Sequence, residues 1–166
     1  MLSHPAPLPF GSGWSFELKW DGFRAIVSTE DGLAIRSRRG WNMTPVLPEL
    51  RALPAGLVLD GELVAWKGSE PYFPLVCRRV LNRDMSVPLT FVIFDLLRAD
   101  GKDLTTSPYA ERRSKLESLK LEGPVCQRQR PLTTAALSSR PCASSASRAS
   151  SRRTTRAFIG RTAAAG

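Results

Sequence analysis

Trp14-Ser15-Phe16-Glu17-Leu18-Lys19-Trp20-Asp21-Gly22-Phe23-Arg24 alternates apolar and polar residues up to a tight-turn pair. In a strand, successive side chains point to opposite faces. Trp14, Phe16, Leu18 and Trp20 then share one face, and Ser15, Glu17 and Lys19 share the other. Asp21-Gly22 predicts a tight turn, with Phe23 to Ser28 as the returning strand of a hairpin.

Outward from this stretch the same texture continues. Asp31-Gly32 turns into a third strand, Leu33 to Arg38, and Thr44-Pro45 predicts the cap of a short helix through Leu53. Leu57 to Trp66 and Leu89 to Leu97 read as strands. Ser107-Pro108 opens a helix to about Leu119, with Leu116 and Leu119 on its apolar side. The fold class expected is α+β, with antiparallel sheets and few helices.

The chain has 166 residues and 42% hydrophobic residues, enough for one domain with a real core. No run of 18 apolar residues predicts a membrane span, and the start Met1-Leu2-Ser3-His4-Pro5 has no leader pattern. Cys77, Cys126 and Cys142 are odd in number and widely spaced. That argues against a disulfide framework or a zinc site and suits a reducing cytoplasm. The net charge of +9 points to nucleic acid, but it is unevenly spread. Residues 124–166 hold eight arginines and no lysine, aspartate or glutamate, whereas residues 1–123 carry a net charge of only +1.

Three features carry chemistry. Lys19 lies at a strand end beside the Gly22 turn, where a phosphate can approach the backbone closely. A lysine nucleophile must be neutral when it attacks, and nearby cations such as Arg24 favour that form. The bland reading is a charged hairpin. Asp60-Gly61-Glu62 lies inside an apolar strand, and a period of two puts both carboxylates on one face. Buried carboxylates are costly unless paired or bound. A sugar hydroxyl, a metal or Lys19 would satisfy them, or an ion pair with Arg36, Arg38 or Arg39. Phe94, in Phe91-Val92-Ile93-Phe94-Asp95-Leu96-Leu97, reads as a core residue by itself, or as a platform for a nucleobase.

Lys-x-Asp-Gly-x-Arg, then Ser37-Arg38-Arg39-Gly40, then Asp-Gly-Glu, then Phe-Asp-Leu-Leu follow in this order. The set resembles the covalent nucleotidyltransferase superfamily. Within it, the chain is similar to bacterial ATP-dependent DNA ligases of the double-strand-break-repair type over the 106 residues from Trp14 to Leu119. The resemblance implies an ATP-grasp-like adenylation domain in which Lys19 attacks ATP to form lysyl-AMP. It implies that Glu17 contacts adenine, Arg24 and Arg38 bind nucleotide and DNA phosphate, Glu62 holds the ribose, and Phe94 stacks on adenine. Asp21, Gly22 and Asp60 then support the cluster. It also implies Mg²⁺ on the phosphates, though no metal ligand is assigned. The substrate implied is nicked or broken double-stranded DNA, with an end-binding repair protein as partner and a location in the bacterial cytoplasm at the nucleoid. The alternatives are an RNA ligase or capping-type enzyme, which shares Lys-x-Asp-Gly, and a non-catalytic basic protein that binds nucleic acid.

Two later motifs of that family are not found. Glu122-Gly123 matches the family's Glu-Gly only superficially, and the closing Lys-x-Lys is missing because the last lysine is Lys120. The OB-fold domain usual in that family is likewise expected to be missing. Residues 1–123 are therefore expected to form the N-terminal part of an adenylation domain. Residues 124–166 are expected to be a disordered tail, dominated by Ser, Thr, Ala and Arg, that adds nothing to the core. That composition resembles a shifted reading frame of a high-GC gene, which implies a truncated product. The rival reading is a basic arm on DNA phosphates.

Overall fold

The computed structural model describes residues 14–130 and the strand 157–161. Its core is a six-stranded sheet with strand order β3-β2-β4-β7-β8. These strands are β2 (Phe23–Ser28), β3 (Ala34–Ser37), β4 (Leu57–Val64), β7 (Thr90–Ala99) and β8 (Lys102–Asp103). They pair antiparallel throughout. The sixth strand, β9 (Cys126–Arg128), runs parallel to β7. Between β4 and β7 lie the short pair β5 (Trp66–Lys67) and β6 (Glu70–Pro71), then helix α1 (Phe73–Asn82). Helix α2 (Tyr109–Ser118) follows β8.

Period-two alternation places the core on one face of this sheet. Ala25, Val27, Leu59, Leu63, Phe91, Ile93 and Leu96 are buried there against Met43, Leu47, Leu50, Val76, Val80 and Leu116. Gly61 makes the strands' close approach possible, because a Cβ there would meet the Phe91 ring and stand 2.5 Å from the Val92 carbonyl oxygen.

Three sequence expectations are corrected. Strands β1 (Trp14–Leu18) and β2 do not pair as a hairpin: β1 pairs antiparallel with β10 (Ala157–Arg161), and β2 lies between β3 and β4. Asp21-Gly22 is a passage between two sheets. Gly22 packs so tightly on β4 that a Cβ would overlap the Leu63 carbonyl oxygen. The helix from Thr44 to Leu53 is two 3-10 turns, Thr44–Val46 and Pro48–Ala52, and the Thr44 hydroxyl accepts the Ile35 N–H (2.9 Å) instead of capping. The boundary expected after Gly123 falls too early. The sheet continues through β9, where the Phe91 N–H donates to the Val125 carbonyl (2.7 Å) and the Gln129 N–H to the Ile93 carbonyl (2.7 Å). The expected disordered tail also includes β10, whereas the rest of it, residues 131–156 and 162–166, lies outside the described residues.

Candidate nucleotide site

The face of the sheet opposite the core carries the polar cluster. In β2, Arg24 stands directly across from Glu62 of β4 and diagonally from Asp60, two positions along the strand. Its guanidinium grips Asp60 with two hydrogen bonds: Nε donates to Oδ1 at 2.9 Å and Nη2 to Oδ2. Asp60 is 5% exposed, so this fork supplies the partner that burial demands. The cation paired with Asp60 is Arg24, which the cross-strand register brings closer than Arg36, Arg38 or Arg39, the arginines the sequence offered as an alternative.

Glu62 has a different environment. The Gly22 N–H donates to its carboxylate, but burial outweighs this bond and pushes its pKa up to about 7. Arg24 pulls it down, and Asp60 and Asp21 push it up. The passage at Gly22, after Lys19, thus lies against the carboxylate expected to hold a ribose.

Phe94 reaches this cluster through an irregularity in pairing. Asp60 lies opposite Asp95 and Gly61 opposite Ile93, so β7 has one extra residue there, Phe94. A bulge of this kind re-aims a side chain. Phe94 is half-buried and outside the core cluster, with the Arg24 guanidinium carbon 5.8 Å from its ring centre. Neighbouring Asp95 is held by Arg112 of α2 in a second bidentate pair (2.8 and 2.7 Å).

Arg24, Asp60, Glu62, Phe94 and Gly22 therefore come together. Glu17 is bound elsewhere: its carboxylate accepts the Tyr109 hydroxyl at 2.5 Å and lies 3.6 Å from Arg113 Nη1. Burial raises its pKa, against the opposing pull of Tyr109 and Arg113. Lys19 is exposed between the half-buried Leu18 and Trp20. Arg38 is exposed in the turn after β3, which is closed by the Gly40 N–H on the Ser37 carbonyl (2.8 Å). Since Ser37 pairs with Ala25, that turn sits at the Arg24 end of β2. No group of three His, Cys, Asp or Glu residues forms a metal cage among the described residues.

Sequence reasoning missed Tyr109, Arg112, Arg113 and Gln129. The first three lie on one turn of α2, where their spacing reads as a solvated face. Gln129 lies in a stretch with no periodicity.

Residues 8–139 match the domain family described as ATP dependent DNA ligase domain. The multifunctional non-homologous end joining protein LigD of Mycolicibacterium smegmatis is 42% identical over 113 residues, covering 64% of this chain and 14% of that protein. The crystal structure of the ligase domain from M. tuberculosis LigD superposes with a TM-score of 0.62 at 35% identity, covering 72% of this chain and 40% of that one. A mycobacterial DNA ligase D complexed with ATP and MES gives a TM-score of 0.60 at 34% identity, covering 72% and 40%. The chain spans 14% to 48% of the length of the first curated relatives it matches.

Proposed function

Because this chain belongs to the ATP-dependent DNA ligase domain family, we propose that it takes AMP from ATP onto Lys19 and serves the joining of nicked or broken duplex DNA. The observation that carries this reading is the junction of the Lys19–Gly22 passage with the polar face of β4. The Gly22 N–H meets the Glu62 carboxylate there, beside the Arg24–Asp60 fork and Phe94. That face offers a hydroxyl acceptor, a cation and an aromatic surface, which is the chemistry a ribose, a phosphate and an adenine require.

In the proposed step, the lone pair of neutral Lys19 Nζ attacks the α-phosphorus. The N–P bond forms as the bond to the pyrophosphate oxygen breaks, and the amine proton passes to solvent. AMP then moves to a 5′-phosphate at the nick, and attack by the 3′-hydroxyl releases it. Arg24 and the exposed Arg38 are assigned to phosphate contacts, Glu62 to the ribose, Phe94 to the adenine and Glu17 to the edge of the adenine. Asp60 holds Arg24 in place. Magnesium neutralises phosphate charge in such transfers. When bound, it would supply that neutralisation on the triphosphate, and no residue of this chain is assigned to hold it. The end-joining relatives suggest a broken-end substrate and an end-binding partner protein.

The test is labelling with ATP carrying a radioactive α-phosphate, in the presence of Mg²⁺. Label is expected on the native chain, lost in Lys19→Ala and undiminished by excess GTP. Label that persists in Lys19→Ala, or competition by GTP, overturns the reading.

A further inference from the structure

Lys19 is exposed, yet both of its neighbours are tied to the same distant side chain. The Trp20 indole Nε1 donates to Gln129 Oε1 at 3.0 Å, and Gln129 Nε2 donates to the Leu18 carbonyl at 2.9 Å. Gln129 is 3% exposed, so these bonds are sheltered from water. Its backbone is also fixed, with the N–H on the Ile93 carbonyl (2.7 Å) and the carbonyl accepting from Arg113 Nη2. Arg113 in turn faces Glu17 (3.6 Å), two residues before Lys19, and binds Glu117 (3.0 Å). On the far side, the Trp20 ring meets Trp66 edge-on at 5.6 Å, and the Trp66 indole donates to the Thr90 hydroxyl (3.1 Å).

We propose that Gln129 is a positioning residue for Lys19: its amide clamps the backbone before the lysine and the side chain after it, fixing the lysine's approach to a phosphate. The proposal rests on the reading of Lys19 as the nucleophile. A group that must meet phosphorus in line loses rate steeply when its backbone is free to move, whereas nucleotide binding elsewhere is unaffected. Both hydrogen-bonding ends of the amide are used, each by a different flank. No apolar residue of similar shape can replace it.

The experiment compares the native chain with Gln129→Leu, Trp20→Phe, the double variant and Lys19→Ala. It measures the rate of AMP labelling across ATP concentrations and hydrogen exchange over residues 16–22. Gln129→Leu is expected to slow labelling at saturating ATP at least tenfold, with half-saturation within about twofold of native. Exchange over residues 16–22 rises while β2, β4 and β7 keep their protection. The double variant is expected to be no slower than Gln129→Leu, since both changes release the same clamp. Label lost in Lys19→Ala but unchanged in Gln129→Leu overturns this proposal alone. Label retained in Lys19→Ala, or none on the native chain, overturns the Lys19 reading and this proposal with it. Should Gln129→Leu not fold, Trp20→Phe decides: a labelling rate within about twofold of native overturns the proposal.

Discussion

Glu62 is held between a hydrogen bond that favours its charge and burial that opposes it, and burial dominates. Its pKa rises from an ordinary 4.5 to about 7 in the folded chain. A carboxyl raised in this way favours folding fully below pH 4.5, and that contribution is lost as pH climbs through about 7. The loss is on the order of 3 kcal/mol. Urea unfolding at pH 4.5 and pH 8 should show the native chain less stable at the higher pH. In Glu62→Gln this share of the dependence should vanish, because the amide does not titrate. Equal pH dependence in the two chains would remove Glu62 as its source. The paired faces of Asp60 and Glu62 were legible from the strand's period of two. Their different fates were not, since Arg24 could be given to Asp60 only by the β2–β4 register.

At the scale of elements, helix α1 shows how a buried cation hides a helix. Phe73, Val76 and Val80 follow helical spacing, but Cys77-Arg78-Arg79 interrupts the apolar pattern, and the segment was not predicted. Arg79 is 2% exposed and serves as a hub. It donates to the carbonyls of Val46 (2.8 Å), Met85 (2.7 Å) and Val87 (3.0 Å), and to Glu49 (2.8 Å). One side chain thereby ties α1 to the 3-10 turns and to the loop before β7. Arg79→Met keeps much of the stem but leaves those carbonyls without a donor. Denaturant unfolding should show a loss of roughly 3 kcal/mol or more. A loss below about 1 kcal/mol would mean that water replaces the guanidinium.

For the molecule as a whole, β9 and Gln129 join the start of the described chain to its sheet. A chain shortened to residues 1–123 loses the Phe91–Val125 and Gln129–Ile93 backbone bonds. It also loses the Gln129 side chain that binds both flanks of Lys19 and the carbonyl that Arg113 binds. One shortened to residues 1–130 keeps all of them. The shorter chain should melt about 10 °C or more below the longer one, since each buried group left unpaired costs about 1–3 kcal/mol. Equal melting temperatures would return residues 124–130 to the status of a tail. The excess of arginine beyond Gly123 is a property of the sequence, and no helix among the described residues is long and apolar enough to cross a membrane.

By itself the sequence determined the local terms. Strands β2, β4 and β7 follow from alternation, helix α2 from its opening Ser-Pro, and the family from four motifs in order. These are readable because each depends on residues a few positions apart. Tertiary structure alone decided that β1 leaves β2 for another sheet, that Phe94 bulges out to Arg24, and that Asp60 takes Arg24. It also decided that Gln129 reaches back to Trp20 and Leu18 across 109 and 111 positions of chain. Such contacts carry no periodic signature. They form only once the sheet brings its edges together, where hydrogen bonds sheltered from water favour one arrangement of the buried polar groups over the rest.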